Sequence, residues 1–428
     1  MKTNMKKMLV VLVAVVMVLG LAACGKSGSG SDSGSSGGGD GKSITVFNSK
    51  MEIQDQFVEL AKKYTEETGV AVEVYYSQDT VAAHLATKYA SKDPYTINMV
   101  DPKDIYSLGV QYGADLSDCA WVQDTTQAID VDGKVLGMPS CIEARGLIYN
   151  GEAIKKVTGK DFDPASIQTL DDFKALLEQL KKGGMETPTA IMKEDWSLAA
   201  HYLAQVYEER EDPDKFAEEL KAGNVDLMKD DKFNMLMDTF DVLKENNMFK
   251  SGAISVEREQ VEQALSEGQV AFMFGGNWDG VQIVQYDYTG GAGMMPIPQN
   301  PTDDYTGMLV GGGSKYFYVD ASEYTTEEDQ KAAMDFLQWL VESDAGKTFV
   351  SETTGMVSPF KSNDVTCSDD LGAAVKTYAD EGKLVPNFNG CPDDHYSVLG
   401  AEMQKYLADQ CTREDLAKAV EEYWKAQA

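Results

Sequence analysis

Two periodicities organise the chain from residue 44 onward. Residues 44–47 (ITVF) form a short β-type run, and the apolar positions that follow, Ile53, Phe57, Leu60, Ala61 and Tyr64, recur at helical spacing and predict a helix with one apolar stripe. Gly69 stops that helix, and residues 71–76 (AVEVYY) predict the next strand. Strand, helix and strand in so short a stretch make a βαβ unit, which implies a parallel sheet. A further strand at residues 97–100 ends at Asp101-Pro102. Three later helices announce their starts. Thr169 with Asp172, Thr326 with Asp329 and Thr412 with Asp415 have capping-box spacing. Each precedes a helical stripe: Phe173/Leu176/Leu177/Leu180, Ala333/Phe336/Leu337/Leu340 and Leu416/Val420/Tyr423. Trp339 and Trp424 fall within or beside two of these stripes and read as core. Residues 271–274 (AFMF) predict a short apolar strand running into Gly275-Gly276-Asn277-Trp278. The body is therefore α/β, without internal repeat.

The N-terminal pattern is different. Three lysines (Lys2, Lys6, Lys7) precede an apolar run over residues 8–21, too short to span a bilayer, which reads as an export signal. It ends in Leu21-Ala22-Ala23-Cys24, which resembles a bacterial lipobox, so residues 1–23 read as a lipoprotein signal peptide and Cys24 as the acylated new N-terminus. Residues 25–41 are almost pure Gly and Ser. Such a tether is flexible coil, and about 17 residues of it reach on the order of 20–25 Å. Lipidated Cys24 and tether together occupy residues 24–42, and the expected location is the extracellular face of the cell membrane.

Cleavage before Cys24 leaves 405 of 428 residues, too many for one small core and suited to two lobes. Losing three lysines and no acid takes the net formal charge from −32 to −35. A surface of that sign repels nucleic acid and anionic headgroups, so no nucleic-acid partner is expected. Five cysteines remain besides Cys24: Cys119, Cys141, Cys367, Cys391 and Cys411. Pairing of Cys367 with Cys391, or of Cys119 with Cys141, suits an oxidising exterior, but spacing alone does not fix connectivity. With three histidines in the chain and no CxxC, no metal site and no cofactor are expected.

Taken in order, several stretches resemble the extracellular solute-binding proteins of ABC importers, in particular the carbohydrate-binding family that includes maltose-binding protein. They are residues 44–76, 132–139 with 146–150, 170–173, 264–278, 295–298, 311–314, and 333–341 leading through 343–347 to Gly355. The resemblance covers essentially all of residues 43–428 and lies in the ordered set rather than in one motif. It implies a two-lobed periplasmic-binding-protein-like α/β fold whose ligand cleft lies between lobes joined by crossover strands. Residues 132–150 look like the first crossover and the region near 294–298 like the second, with a return near Gly355. Lobe 1 is then residues 43–143 plus about 296–352, and lobe 2 about 147–293 plus about 356–428. The implied partners are a small-molecule ligand, an oligosaccharide, and ABC permease subunits; the receptor is a monomer, anchored to the membrane by its lipid.

Sugar rings present apolar C–H faces ringed by hydroxyls, so their sites combine aromatic platforms with carboxylates and amides. Trp278 follows a strand end, and Gly275-Gly276 leaves room for a ligand to approach; core packing is its alternative. Asp279 reads as a hydroxyl acceptor or a helix cap. Trp196, after Glu194-Asp195, is a second stacking residue, with Asp195 as its carboxylate. Glu143 and Arg145 lie on the first crossover, as ligand contacts or as a hinge salt bridge with one another. Asn48, Ser49, Lys50 and Asp101 follow strand ends, where ligands of open α/β sheets collect. The family implies an aromatic contact at Tyr396, beside His395. A glycoside hydrolase shares the aromatic-carboxylate chemistry, but no nucleophile elbow, P-loop, HExxH or GxGxxG is present and no enzyme activity is expected. The remaining alternatives are a non-sugar ligand, such as a polyol phosphate, polyamine or peptide, and presentation of the ligand to a sensor kinase.

Overall fold

The computed structural model describes residues 43–428, Thr289 excepted, and residues 42–428 form one compact unit. The signal, Cys24 and the tether lie outside the described residues. Among those described, no helix is long and apolar enough to cross a membrane.

Among the described residues ten strands form the sheet: β1 (Ser43–Asn48), β2 (Ala71–Tyr76), β3 (Ile97–Val100), β4 (Ile129–Val131), β5 (Lys134–Asn150), β6 (Thr189–Ala190), β7 (Phe272–Gly276), β8 (Ala292–Met295), β9 (Leu309–Val319) and β10 (Leu384–Val385). Their order is β2-β1-β3-β9-β5-β7-β6, with β10 on β9 and with β4 and β8 on β5. The first βαβ unit is as the pattern predicts. β1 and β2 run parallel in register from Ser43↔Ala71 to Asn48↔Tyr76. The Gln54–Thr68 helix between them buries Phe57, Leu60, Ala61 and Tyr64. It ends at Gly69, whose φ of +77° is a left-handed conformation that glycine adopts without a Cβ clash. Thr169 and Thr412 form full capping boxes with Asp172 and Asp415. Trp424 is fully buried, whereas Trp339 sits at the edge of the core, against Tyr64, with its indole N–H donating to Glu67 at 2.9 Å.

β5 is the longest strand, with 17 residues. It pairs antiparallel with β9 from Met138↔Phe317 to Arg145↔Val310, and its far end pairs with β7 and β8. The return crossing is thus β9 and not the 294–298 segment. That segment stays with the far end of β5, where Met295 and Ile297 pack in the same buried cluster as Tyr202, Phe240 and Phe272. Along β9, Leu309 belongs to a cluster with Ile148 and Met273, while Phe317 and Val319 join Phe57, Phe336 and Phe349. One strand therefore links cores on both sides of the crossing.

The five cysteines beyond Cys24 are unpaired. Cys141, at the crossing, has its sulfur 3.3 Å from Ser314 Oγ, and Cys367 lies 3.1 Å from the carbonyl oxygen of Gly355.

The Phe57 ring is fully buried, 5.4 Å from Phe349 and 6.1 Å from Phe317. Phe57→Ala leaves a cavity there and is expected to cost about 3–5 kcal/mol, read as a lowered urea midpoint; a loss below about 1 kcal/mol would show that this cluster does not hold the β1–β2 unit.

Candidate functional site

Elements distant in sequence converge on a cavity of about 480 Å³. One wall is the turn after β1, with Lys50, Met51 and Glu52; the floor is Glu143 of β5. The other wall holds Trp196, His201, Arg258, Asn277 and Trp278, and the segment 354–356 and Asp369 complete it.

The turn after β1 is preset by Asn48. Its side-chain amide donates to the Lys50 carbonyl at 2.8 Å, and its Oδ1 accepts the Lys50 N–H at 2.9 Å. This loop points the Lys50 ammonium at Glu143 (2.8 Å) and Glu52 (2.9 Å). Burial opposes the charge on Lys50, but Glu143 above all outweighs it and holds the ammonium above its ordinary range. Burial likewise opposes ionisation of Glu143, yet Lys50 keeps that carboxyl below its usual value. The pair is ionised, mutually satisfied and set in the cavity lining.

On the opposite wall His201 lies between two indoles, 5.2 Å from the Trp196 ring and 4.9 Å from that of Trp278. Burial, then Arg145 and Arg258, push its pKa well down, so the imidazole is neutral. Arg258 Nε donates to Glu262 at 2.7 Å and to Asp279 at 2.8 Å, and its guanidinium carbon lies 5.8 Å from the Trp196 ring. Asn277 Oδ1 accepts the Ala144 N–H at 2.9 Å, which fastens the Trp278 loop to β5. The space expected at Gly275-Gly276 for a ligand is used by the chain itself. A Cβ at Gly276 would stand 2.3 Å from the Trp278 ring and one at Gly275 2.2 Å from Asp279, so these glycines let both side chains fold back over the strand end.

The structure thus brings Trp278, Trp196, Glu143 and Lys50 together and places the other six expected residues outside the cavity lining. Asp279 is fully buried, binding Arg258 and the Gly276 N–H, because a carboxylate at that depth needs paired donors. Arg145 is not bonded to Glu143; its Nη2 pairs with Glu208 and its Nη1 donates to Asn387 at 2.7 Å. Asn48 is buried in its turn, and Asp101 pairs with Lys315. Asp195 accepts the Trp196 N–H at 2.7 Å. Tyr396 is exposed, while its neighbour His395 is buried near Tyr207, Tyr423 and Trp424. Sequence reasoning missed His201, Arg258 and Asp369 as lining residues. Only His201 carried a local signal, five positions after Trp196.

The profile of the bacterial extracellular solute-binding protein family matches residues 59–386. Among solved structures, a binding protein of Bacillus subtilis subsp. subtilis str. 168 in an open conformation is 20% identical, with a TM-score of 0.71 and coverage of 90% of this chain and 97% of that one. A sugar transporter protein of Bacillus licheniformis in complex with stachyose is 18% identical, with a TM-score of 0.66 and coverage of 90% and 100%. RafE, solved from Streptococcus pneumoniae without ligand and also in complex with raffinose, is in that complex 16% identical, with a TM-score of 0.71 and coverage of 90% and 99%.

The Arg258 cluster generates a pH prediction. Burial first, and the neighbouring Asp279 second, push the Glu262 carboxyl from 4.5 up to about 8. A carboxyl raised in the folded state contributes stability that is fully present below its unfolded pKa and lost as pH rises through its folded one. Thermal midpoints of the wild type should therefore fall between about pH 4.5 and pH 8, more steeply than those of Glu262→Gln; parallel curves would contradict this. With a family profile matching well over half of the sequence on a two-lobed α/β fold, the chain belongs to the bacterial extracellular solute-binding protein family.

Proposed function

We propose that this extracellular solute-binding protein captures an oligosaccharide in the cavity between Lys50, Glu143 and the two tryptophans, and passes it to an ABC permease. The observation that carries the reading is the pair of indoles, Trp196 and Trp278, held at an angle by a neutral His201. Flat rings suit the C–H faces of sugars, and the flanking Lys50, Glu143, Asn277 and Asp369 offer donors and acceptors to hydroxyls. The stachyose and raffinose complexes of two structures with the same fold support the ligand class. The cationic side chains of the cavity are already ion-paired, Lys50 with Glu143 and Arg258 with Asp279, which favours a neutral ligand over a phosphorylated one.

The lobes meet at the β5–β9 crossing, with residues 43–143 on one side and about 147–293 on the other. Residues contributed by both walls bind the ligand better when the lobes are closed, and the closed form docks on the permease. Cys24 carries the lipid, and the Gly/Ser tether keeps the monomeric receptor at the outer face of the membrane. ATP is hydrolysed by partner subunits, so the chain itself catalyses nothing.

Trp278→Ala or Trp196→Ala should weaken oligosaccharide binding at least about tenfold, or about 1.4 kcal/mol, in calorimetry, with an unchanged circular dichroism spectrum. Normal binding by both variants would remove the indoles from the site. Cys24→Ala should move the protein from the membrane fraction to the medium, and retention in the membrane would contradict the anchor.

A further inference from the structure

We infer that Glu262, which lies behind the cavity lining, is a positioning residue of the aromatic wall: through Arg258 and Asp279 it fixes both indoles, and its proton makes ligand affinity fall as the medium turns alkaline. This rests on the reading of that wall as the ligand site.

Arg258 is tied to both indole segments. Its backbone N–H donates at 2.8 Å to Glu194, two residues before Trp196, and its guanidinium lies by the Trp196 ring. The same guanidinium donates from Nε and Nη2 to Asp279, the residue after Trp278, at 2.8 and 2.7 Å. Asp279 in turn accepts the Gly276 N–H at 2.9 Å, which closes the turn that carries Trp278. Arg258 lines the cavity. Glu262, one helical turn further on, stands behind it and accepts from Arg258 Nε at 2.7 Å.

The cluster holds two carboxyl groups and one guanidinium. Glu262 and Asp279 are both fully buried, and among the described residues Arg258 is the only cation paired with either. A second buried negative charge has no counter-ion of its own, so one proton stays on the pair. The geometry puts it on Glu262. Its Oε1 accepts from Arg258, its Oε2 is buried and accepts from no donor, and the Glu262 carboxyl hydrogen-bonds Asp279, whose oxygens already accept from Arg258 and Gly276. Loss of that proton sets two anions in competition for Arg258 and loosens its hold on the Trp278 turn. A ligand lying on the indoles removes the cluster further from water, so the bound state favours the neutral acid and binding takes up a proton.

The neighbouring groups leave a window for this titration. Glu259, on the same helix, is exposed, and burial together with Glu262 pushes the phenol of Tyr286 up. Burial also raises the Glu194 carboxyl, which faces the start of the helix. In the cavity His201 is neutral and Lys50 charged, while Asp369, pushed by burial to about 6, is ionised in alkaline medium. Burial and Asp279 place Glu262 at about 8.

The test is calorimetry of the full-length protein with raffinose, stachyose, maltotriose and a chitin trisaccharide, in buffers of different ionisation enthalpy. For a sugar that binds, Kd should rise about tenfold between about pH 7 and pH 9, with proton uptake on binding near the middle of that range. Glu262→Gln, whose amide donates to Asp279 at every pH, should show a Kd independent of pH and no proton uptake, which separates Glu262 from Glu194. A constant wild-type Kd, or a slope that Glu262→Gln retains, would overturn the inference and leave the indole site intact. If none of the sugars binds, the carbohydrate reading falls by itself and ligand-free tryptophan emission decides the inference. A shift over the same pH range that both Glu262→Gln and the double variant Trp196→Phe/Trp278→Phe lack would support it; no shift, or one that Glu262→Gln retains, would overturn it.

Discussion

The antiparallel pairing of β5 with β9 is the constraint on which the rest of the structure depends. Strand residues two apart share a face, so Glu143 and Arg145 project from the same side of β5. Position 143 meets Lys50 across the cavity floor, and position 145 meets Glu208 and Asn387. Arg145 and Glu208 are both buried, so losing one of them leaves an uncompensated charge worth several kcal/mol, whereas Glu143 keeps part of its surface in the cavity. The pairing thus fixes the floor of the cleft and the positions of two charges on which its walls are built.

The electrostatics of the cleft follow a single rule. Lys50 answers Glu143 and Glu52, Arg258 answers Glu262 and Asp279, and His201 between the indoles is neutral. The cavity is lined with hydrogen-bonding groups whose net charge is small, although the chain as a whole carries −32. Surface acidity and cleft chemistry are separate features, one for solubility and one for recognition. The two indoles add directional apolar contact, and the Trp278 ring is held in place because Asn277 ties its loop to β5 and because Gly276 lets the ring fold back.

Much of this was legible from local pattern. The Phe57 stripe, the Gly69 stop and the boxes at Thr169 and Thr412 are determined within a few residues, and the structure reproduces them. The long strand following residue 132 is expected only through the family resemblance, which makes residues 132–150 the first crossover. What sequence could not supply were partners distant along the chain. Arg145 was weighed against its neighbour Glu143, whereas its carboxylate is 63 positions away at Glu208. Asp279 reads from sequence as a hydroxyl acceptor or a helix cap; it does accept the Gly276 N–H, but nothing local marks Arg258 as its other partner. The return crossing was placed at 294–298, an apolar Met-Pro-Ile-Pro run, but those side chains serve a neighbouring core and the crossing comes later at β9. The Gly275-Gly276 pair marked a real close approach, filled by the protein's own Trp278 and Asp279 rather than left for a ligand.

The measurement that tests the central claim most directly is a thermal-shift screen of the purified protein against mono- and oligosaccharides, polyols, polyamines, sugar phosphates and peptides, because selective binding to the folded state raises the melting temperature. The account predicts a shift with one neutral sugar series, accompanied by a change in tryptophan fluorescence, and none with the other classes. A shift with a cationic or phosphorylated solute, and silence from every sugar, would contradict it.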